Sequence, residues 1–75
     1  MTIVNVVGVR IRELRKQQKL TQLELAAKCN VAGLDISRGT LAKIEAGVRQ
    51  VLDTEVVQIA IALKVKESDL FPRRD

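Results

Sequence analysis

Histidine, tryptophan and tyrosine are absent from this 75-residue chain, and cysteine, proline and phenylalanine occur once each. Without histidine, and with Cys29 alone, there can be no metal site built from several His and Cys ligands. Ser-His or Cys-His nucleophilic pairs and intrachain disulfides are excluded on the same ground. The breakers are also few: Pro72 and Gly8, Gly33, Gly39 and Gly47. So few breakers in a composition close to half apolar favour helices over a sandwich of short strands. The apolar opening Ile3 to Val9 is interrupted by Asn5 and Gly8 and is far too short to span a bilayer. The unpaired thiol and the lack of a secretory signal point to the cytoplasm. Residues 1–75 are expected to form a single domain with no room for a second, ligand-binding one.

The carboxylates Glu24, Asp35, Glu45, Asp53, Glu55, Glu67 and Asp69 fall where helix caps and solvated faces are expected. Catalysis is therefore not expected, and neither is a cofactor or a small-molecule ligand. Cys29 falls on the apolar side of a predicted helix with no neighbouring base, which makes it an inert core residue.

The charge that is present is uneven. Residues 1–20 carry Arg10, Arg12, Arg15, Lys16 and Lys19 against Glu13, a net +4. Residues 21–50 carry a net +1, with Lys28, Arg38, Lys43 and Arg49 against Glu24, Asp35 and Glu45. The remainder is net −1. A positive field over the first two-thirds suits a polyanion at one end of the molecule, although a basic helix face is by itself no more than a solvated surface.

Apolar spacing predicts five short helices. Asn5 can cap a first helix to about Lys19, with Val7, Ile11, Leu14 and Gln18 on one face and a basic back. Thr21 followed by Glu24 is a capping box opening a helix from Gln22 to Cys29, with Leu25, Ala26 and Cys29 inward. Asn30 can take the left-handed conformation that ends it. Val31 to Ile36 then reads as a connection anchored by Val31, Leu34 and Ile36 around Gly33. Ser37 caps a helix from Arg38 to Ala46 that Gly47 stops, with Leu41 and Ile44 inward. Its exposed face holds Arg38, Gly39, Ala42 and Lys43: small side chains carrying two long donors, as entry into a DNA major groove requires. A strongly apolar helix from about Asp53 to Leu63 must be covered on more than one side. A last turn spans about Glu67 to Phe71, before Pro72.

In chain order, Ile11-Arg-Glu-Leu-Arg15, Leu20-Thr-Gln-Leu-Glu-Leu-Ala26, Ile36-Ser-Arg-Gly-Thr-Leu-Ala-Lys-Ile-Glu-Ala-Gly47 and Ile59-Ala-Ile-Ala-Leu-Lys-Val65 with Asp69-Leu-Phe71 are four ordered segments. Together they resemble the phage Cro/repressor family of helix-turn-helix regulators, also described as the xenobiotic response element family. The resemblance implies an all-α, five-helix lambda-repressor-like domain that binds double-stranded DNA, with the helix from Arg38 reading sequence. Gln22 matches the family's phosphate-contacting glutamine, and Arg38, Gly39 and Lys43 match positions facing base edges. Lys28, Ser37 and Thr40 complete the DNA-facing set. Arg15 and Glu45 match a structural ion pair that ties the first helix to the recognition helix.

Three departures stand out. Asn30 and a longer connection replace the family's glycine and tight turn. Leu52 and Lys66 stand where serine caps are usual, so weakly capped helix starts are expected there. Gly39 inside the recognition helix costs roughly 1 kcal/mol relative to alanine. It is either a tolerated defect or a means of close backbone approach to DNA. The expected function is a sequence-specific regulator, a repressor acting as a homodimer through the C-terminal third, where Val57 and Ile61 lie one turn apart. The alternative is an antitoxin-like or adaptor module that uses the same fold to bind protein.

Overall fold

The computed structural model describes residues 4–71, with side chains from Val7 onward. Within these residues lie four α-helices, α1 (Val4–Gln17), α2 (Gln22–Val31), α3 (Arg38–Glu45) and α4 (Asp53–Leu63), followed by a 3-10 turn, Glu67–Leu70. The expected fifth helix is thus four residues of tighter winding, which suits a segment too short to propagate an α-helix. Asn5 lies inside α1 and is not its cap, and Pro72 falls outside the described residues. No described helix is long and apolar enough to cross a membrane.

The core is one cluster. Val7, Ile11 and Leu14 of α1 recur at helical spacing and meet Leu25, Ala26 and Cys29 of α2, Leu41 and Ile44 of α3, and Val56, Ile59, Ala60 and Leu63 of α4. Leu70 closes the bottom of this cluster from the 3-10 turn, and Leu34 and Ile36 enter it from the α2–α3 connection. Burial pushes the Cys29 thiol up to about 11, so the thiolate is scarce at neutral pH. α1 and α3 pack closely: Gly8 is buried, and a Cβ there would overlap the Ile44 carbonyl oxygen.

All four helices stop in one way. The residue after each last turn takes positive φ, at Lys19 (59°), Gly33 (99°), Gly47 (77°) and Lys64 (58°). At each stop the next N–H reaches back five residues: Leu20 to Arg15, Leu34 to Cys29, Val48 to Lys43 and Val65 to Ala60. These are Schellman closures that satisfy the last free carbonyls. The pattern corrects the reading of Asn30. Asn30 stays helical, and its side-chain amide donates to the carbonyls of Ala26 (2.7 Å) and Ile36 (2.9 Å), leaving Gly33 as the left-handed residue. α2 thus runs two residues past its expected end at Cys29, and the left-handed position falls at Gly33. Leu34 and Ile36 anchor the connection, but Val31 does not: it is 90% exposed. The Gln58 amide adds a tie from α4 to the Gly33 carbonyl at 3.2 Å.

The missing serine caps are replaced by halves of capping boxes. Leucine has no acceptor to offer, yet Glu55 accepts from the Leu52 N–H at 3.0 Å, and Asp69 does the same for Lys66. Arg49 grips both oxygens of Glu55, at 3.0 and 2.9 Å. This fork, then the Leu52 N–H, holds the Glu55 carboxyl below the usual carboxylate range.

Candidate nucleic-acid interface

α3 presents its outer face to solvent because Leu41 and Ile44 are drawn fully into the core from the other side. Its first turn is set by Ser37, whose Oγ accepts from the Thr40 N–H at 3.2 Å and donates to the Thr40 hydroxyl. Arg38, Gly39 and Lys43 are exposed, and Ala42 is half-buried between them and the core. Among the described residues, neither Arg38 nor Lys43 meets a carboxylate or carbonyl. Both cations are therefore held only by their backbones. A Cβ at Gly39 would touch nothing nearer than Ser37 Oγ at 3.8 Å, so no internal contact requires glycine there.

Beneath α3 lies a polar network. Arg15 Nε donates to Glu45 at 2.7 Å and its Nη2 to the other oxygen at 3.0 Å, a forked pair with side chains 10% and 3% exposed. A further Arg15 N–H donates to the Leu20 carbonyl, fixing the chain as it leaves α1. Gln22 completes the set: its Nε2 donates to Glu45 at 3.2 Å. The sequence pointed to the Arg15–Glu45 pair but not to this third member. Gln22 lies half-buried at the start of α2, in a cleft of about 260 Å³ shared with Arg12, Ala42, Glu45 and Ala46.

That cleft exposes a residue missing from the sequence-derived set. Arg12 lies one turn before Arg15 on the same face of α1 and is solvent-exposed beside the end of α3. The spacing to Arg15 was the available signal; what it lacked was the direction in which α3 crosses α1. Arg10, another basic side chain of α1, is occupied elsewhere. It donates to the Asp69 carbonyl at 3.0 Å and pairs with Glu13 at 2.7 Å. Lys28 is also displaced from α3: it lines a groove with Val31, Ala32, Ile61, Ala62 and Lys64, between the C-terminal ends of α2 and α4. The structure thus gathers Gln22, Ser37, Arg38, Gly39, Thr40 and Lys43 around α2 and α3, adds Arg12, and sets Lys28 apart.

The helix-turn-helix family model matches residues 11–70. The restriction-modification controller protein C.AhdI from Aeromonas hydrophila is 32% identical, with a TM-score of 0.77 covering 92% of this chain and 93% of that one. A hypothetical transcription factor, NHTF, from Neisseria is 26% identical, with a TM-score of 0.79 covering 93% of this chain and 75% of its own. The clp gene regulator ClgR from C. glutamicum shares the fold at 23% identity, with a TM-score of 0.81 over 93% of this chain and 84% of that one. No curated protein matches the sequence.

Proposed function

The chain belongs to the Cro/C1-type helix-turn-helix family of DNA-binding transcription regulators, and on that premise we propose that it is a sequence-specific repressor that reads the major groove with α3. The observation that carries this reading is the α3 face itself. Two long cations flank a glycine that packing does not require, on a helix locked from below by a buried fork. Arg38 grips guanine O6 and N7, and Lys43 reaches a neighbouring base edge. Gly39 removes the side chain that would hold the helix backbone away from the groove. Ser37 and Thr40 lie at the helix start, where free N–H groups favour a phosphate. Gln22 turns its second amide hydrogen to phosphate while the first holds Glu45, and Arg12 supplies charge to the same strand.

The working form is a homodimer in the cytoplasm. Val57 and Ile61, 38% and 58% exposed on α4 while its other apolar residues are buried, are the apolar pair that a second copy would cover. Nothing in the site calls for catalysis. Selection of bound duplexes from a random pool tests the reading in one step, returning a motif, its symmetry and its half-site spacing. A two-fold symmetric motif supports it. Weak, salt-labile and sequence-indifferent binding would favour the protein-interaction alternative instead.

A further inference from the structure

The groove that holds Lys28 is the most distinctive feature left unused by the DNA face. It is an open groove of about 330 Å³ lined by the apolar Val31, Ala32, Ile61 and Ala62 together with Lys28 and Lys64. One wall is the last turn of α2, where Val31 stands 90% exposed. The Gln58 to Gly33 hydrogen bond holds that turn against α4. The fold thus maintains, in a fixed position, an apolar slot between two cations.

The complementary shape lies at the other end of the same helix. Leu52, 61% exposed, and Asp53, also exposed, form the start of α4: a protruding apolar side chain followed by a carboxylate. Asp53, Val57 and Ile61 follow one another at i, i+4 and i+8, so they share one stripe, and Lys64 lies at its far end. The stripe is acidic at its start, apolar in the middle and basic at its end. A two-fold axis across it reverses the second helix and sets each end on its opposite. Val57 of each copy then packs on Ile61 of the other, and both slots are filled at once. Groove-to-groove contact would instead crowd four lysines together, which like-charge repulsion opposes.

We infer that the Lys28–Val31–Ile61–Lys64 groove receives the Leu52–Asp53 end of α4 from a second copy of this chain, so that Lys28 and the last turn of α2 serve self-association and not DNA. This rests on the homodimer reading above and adds to it the register, the charge pairing and a role for the C-terminal turn of α2. It also means that a partner seated on α4 touches the segment leading into α3.

Charge exchange on the full chain, followed by sedimentation equilibrium at low salt, tests it. Asp53→Lys and Lys64→Asp should each raise the dimer dissociation constant at least tenfold. The double variant Asp53→Lys/Lys64→Asp should return it to within a few-fold of the parent, because the swapped charges meet again across the axis. Val31→Lys should weaken the dimer by a similar factor. All four positions are exposed, and far-UV circular dichroism checks that each variant keeps its helices. Lys28→Gln should leave the salt slope of DNA binding unchanged, whereas loss of a phosphate contact would lower it by about one unit. A dimeric parent whose affinity ignores the single reversals, or a double variant no better than the singles, overturns the groove assignment and leaves the dimer standing. A parent that sediments as a monomer at high concentration overturns the dimer reading itself.

Discussion

The α1–α3 side and the α4 side of this molecule solve opposite problems. On the first, polar groups are buried: Arg15, Glu45 and Gln22 form a connected network under α3, and every buried side-chain polar atom among the described residues has a partner. On the second, apart from the Arg49–Glu55 fork, large apolar groups are left in water, Leu52, Val57, Ile61 and the nearby Val31, in addition to Val9, Leu23 and Val48 exposed elsewhere. A buried fork adds little net stability over a hydrophobic substitute but punishes any other arrangement, so it suits a surface whose side chains must sit at fixed positions. An exposed apolar stripe costs solubility and is useful only when covered. The difference teaches that one side fixes its side chains through buried polar contacts, whereas the other leaves apolar side chains free to be covered.

The comparison breaks most severely at the fork. Glu45→Ala should cost about 3 to 5 kcal/mol in chemical denaturation, because it strands the Arg15 charge in the core. Arg15→Met combined with Glu45→Leu should recover most of the loss, since apolar replacements of similar volume remove both charges together. On the α4 side, Ile61→Lys should leave denaturant stability of the monomer within about 0.5 kcal/mol while weakening self-association. Equal losses at both positions would erase the distinction.

Gly8→Ala probes the same side through packing instead of charge. It should destabilise the fold by about 1 to 3 kcal/mol despite alanine's better helix propensity, because a methyl group meets the Ile44 carbonyl with no room to give. Thermal unfolding measures it. On the outer surface of the same helix pair, Arg38→Ala and Lys43→Ala should leave unfolding unchanged. Each should cost about 1 to 3 kcal/mol of binding at its own base pair and relax preference there. Assays against every single-base variant of the selected operator decide this, and uniform losses at all positions would make Arg38 a phosphate clamp instead.

Acid sharpens the contrast on the α4 side. The Glu55 carboxyl is held low by Arg49 first and by the Leu52 N–H, so it takes up protons more readily unfolded than folded. Its contribution is therefore present at neutral pH and is lost as pH falls below about 4.5 toward its folded value. Glu55→Gln should flatten that acid limb in a pH series of unfolding midpoints. The smallest effect is a matched pair of helix stops. Lys19→Gly and Lys64→Gly each relieve a side chain held at positive φ, and each should stabilise the monomer by up to about 1 kcal/mol. Lys64→Gly should in addition weaken the dimer, and Lys19→Gly should not.

Much of the scaffold was legible beforehand. The Thr21–Glu24 box closes as expected, with the Thr21 N–H to Glu24 at 2.8 Å and the return bond at 3.0 Å. The limits of α4 and the inward residues of α2 and α3 also agree. These depend on groups within four residues of one another, where spacing in sequence is spacing in space. Asn30 misled because its turn-forming tendency is real but was outweighed by two carbonyls its amide could reach at once, one of them on Ile36 beyond the turn. Val31 misled because an apolar residue next to a buried segment reads as an anchor, and nothing local reveals that it faces outward. The charge pattern located Lys28 and Arg10 on helices, but not the side on which each helix meets its neighbours.

By itself the sequence determined the all-helical scaffold, the starts of α2 and α3, the apolar stripes that face inward, and, through its family resemblance, the Arg15–Glu45 tie. Helix periodicity, capping and turn chemistry act over one or two turns and leave a local signature. Only the tertiary structure decided that Gln22 joins that tie, that Arg12 and not Arg10 or Lys28 stands beside α3, and that the last turn of α2 forms a groove with the end of α4. Those outcomes depend on the angles at which helices cross. The angles follow from contacts such as Gly8 against the Ile44 carbonyl, between residues far apart in the chain, for which no local pattern exists.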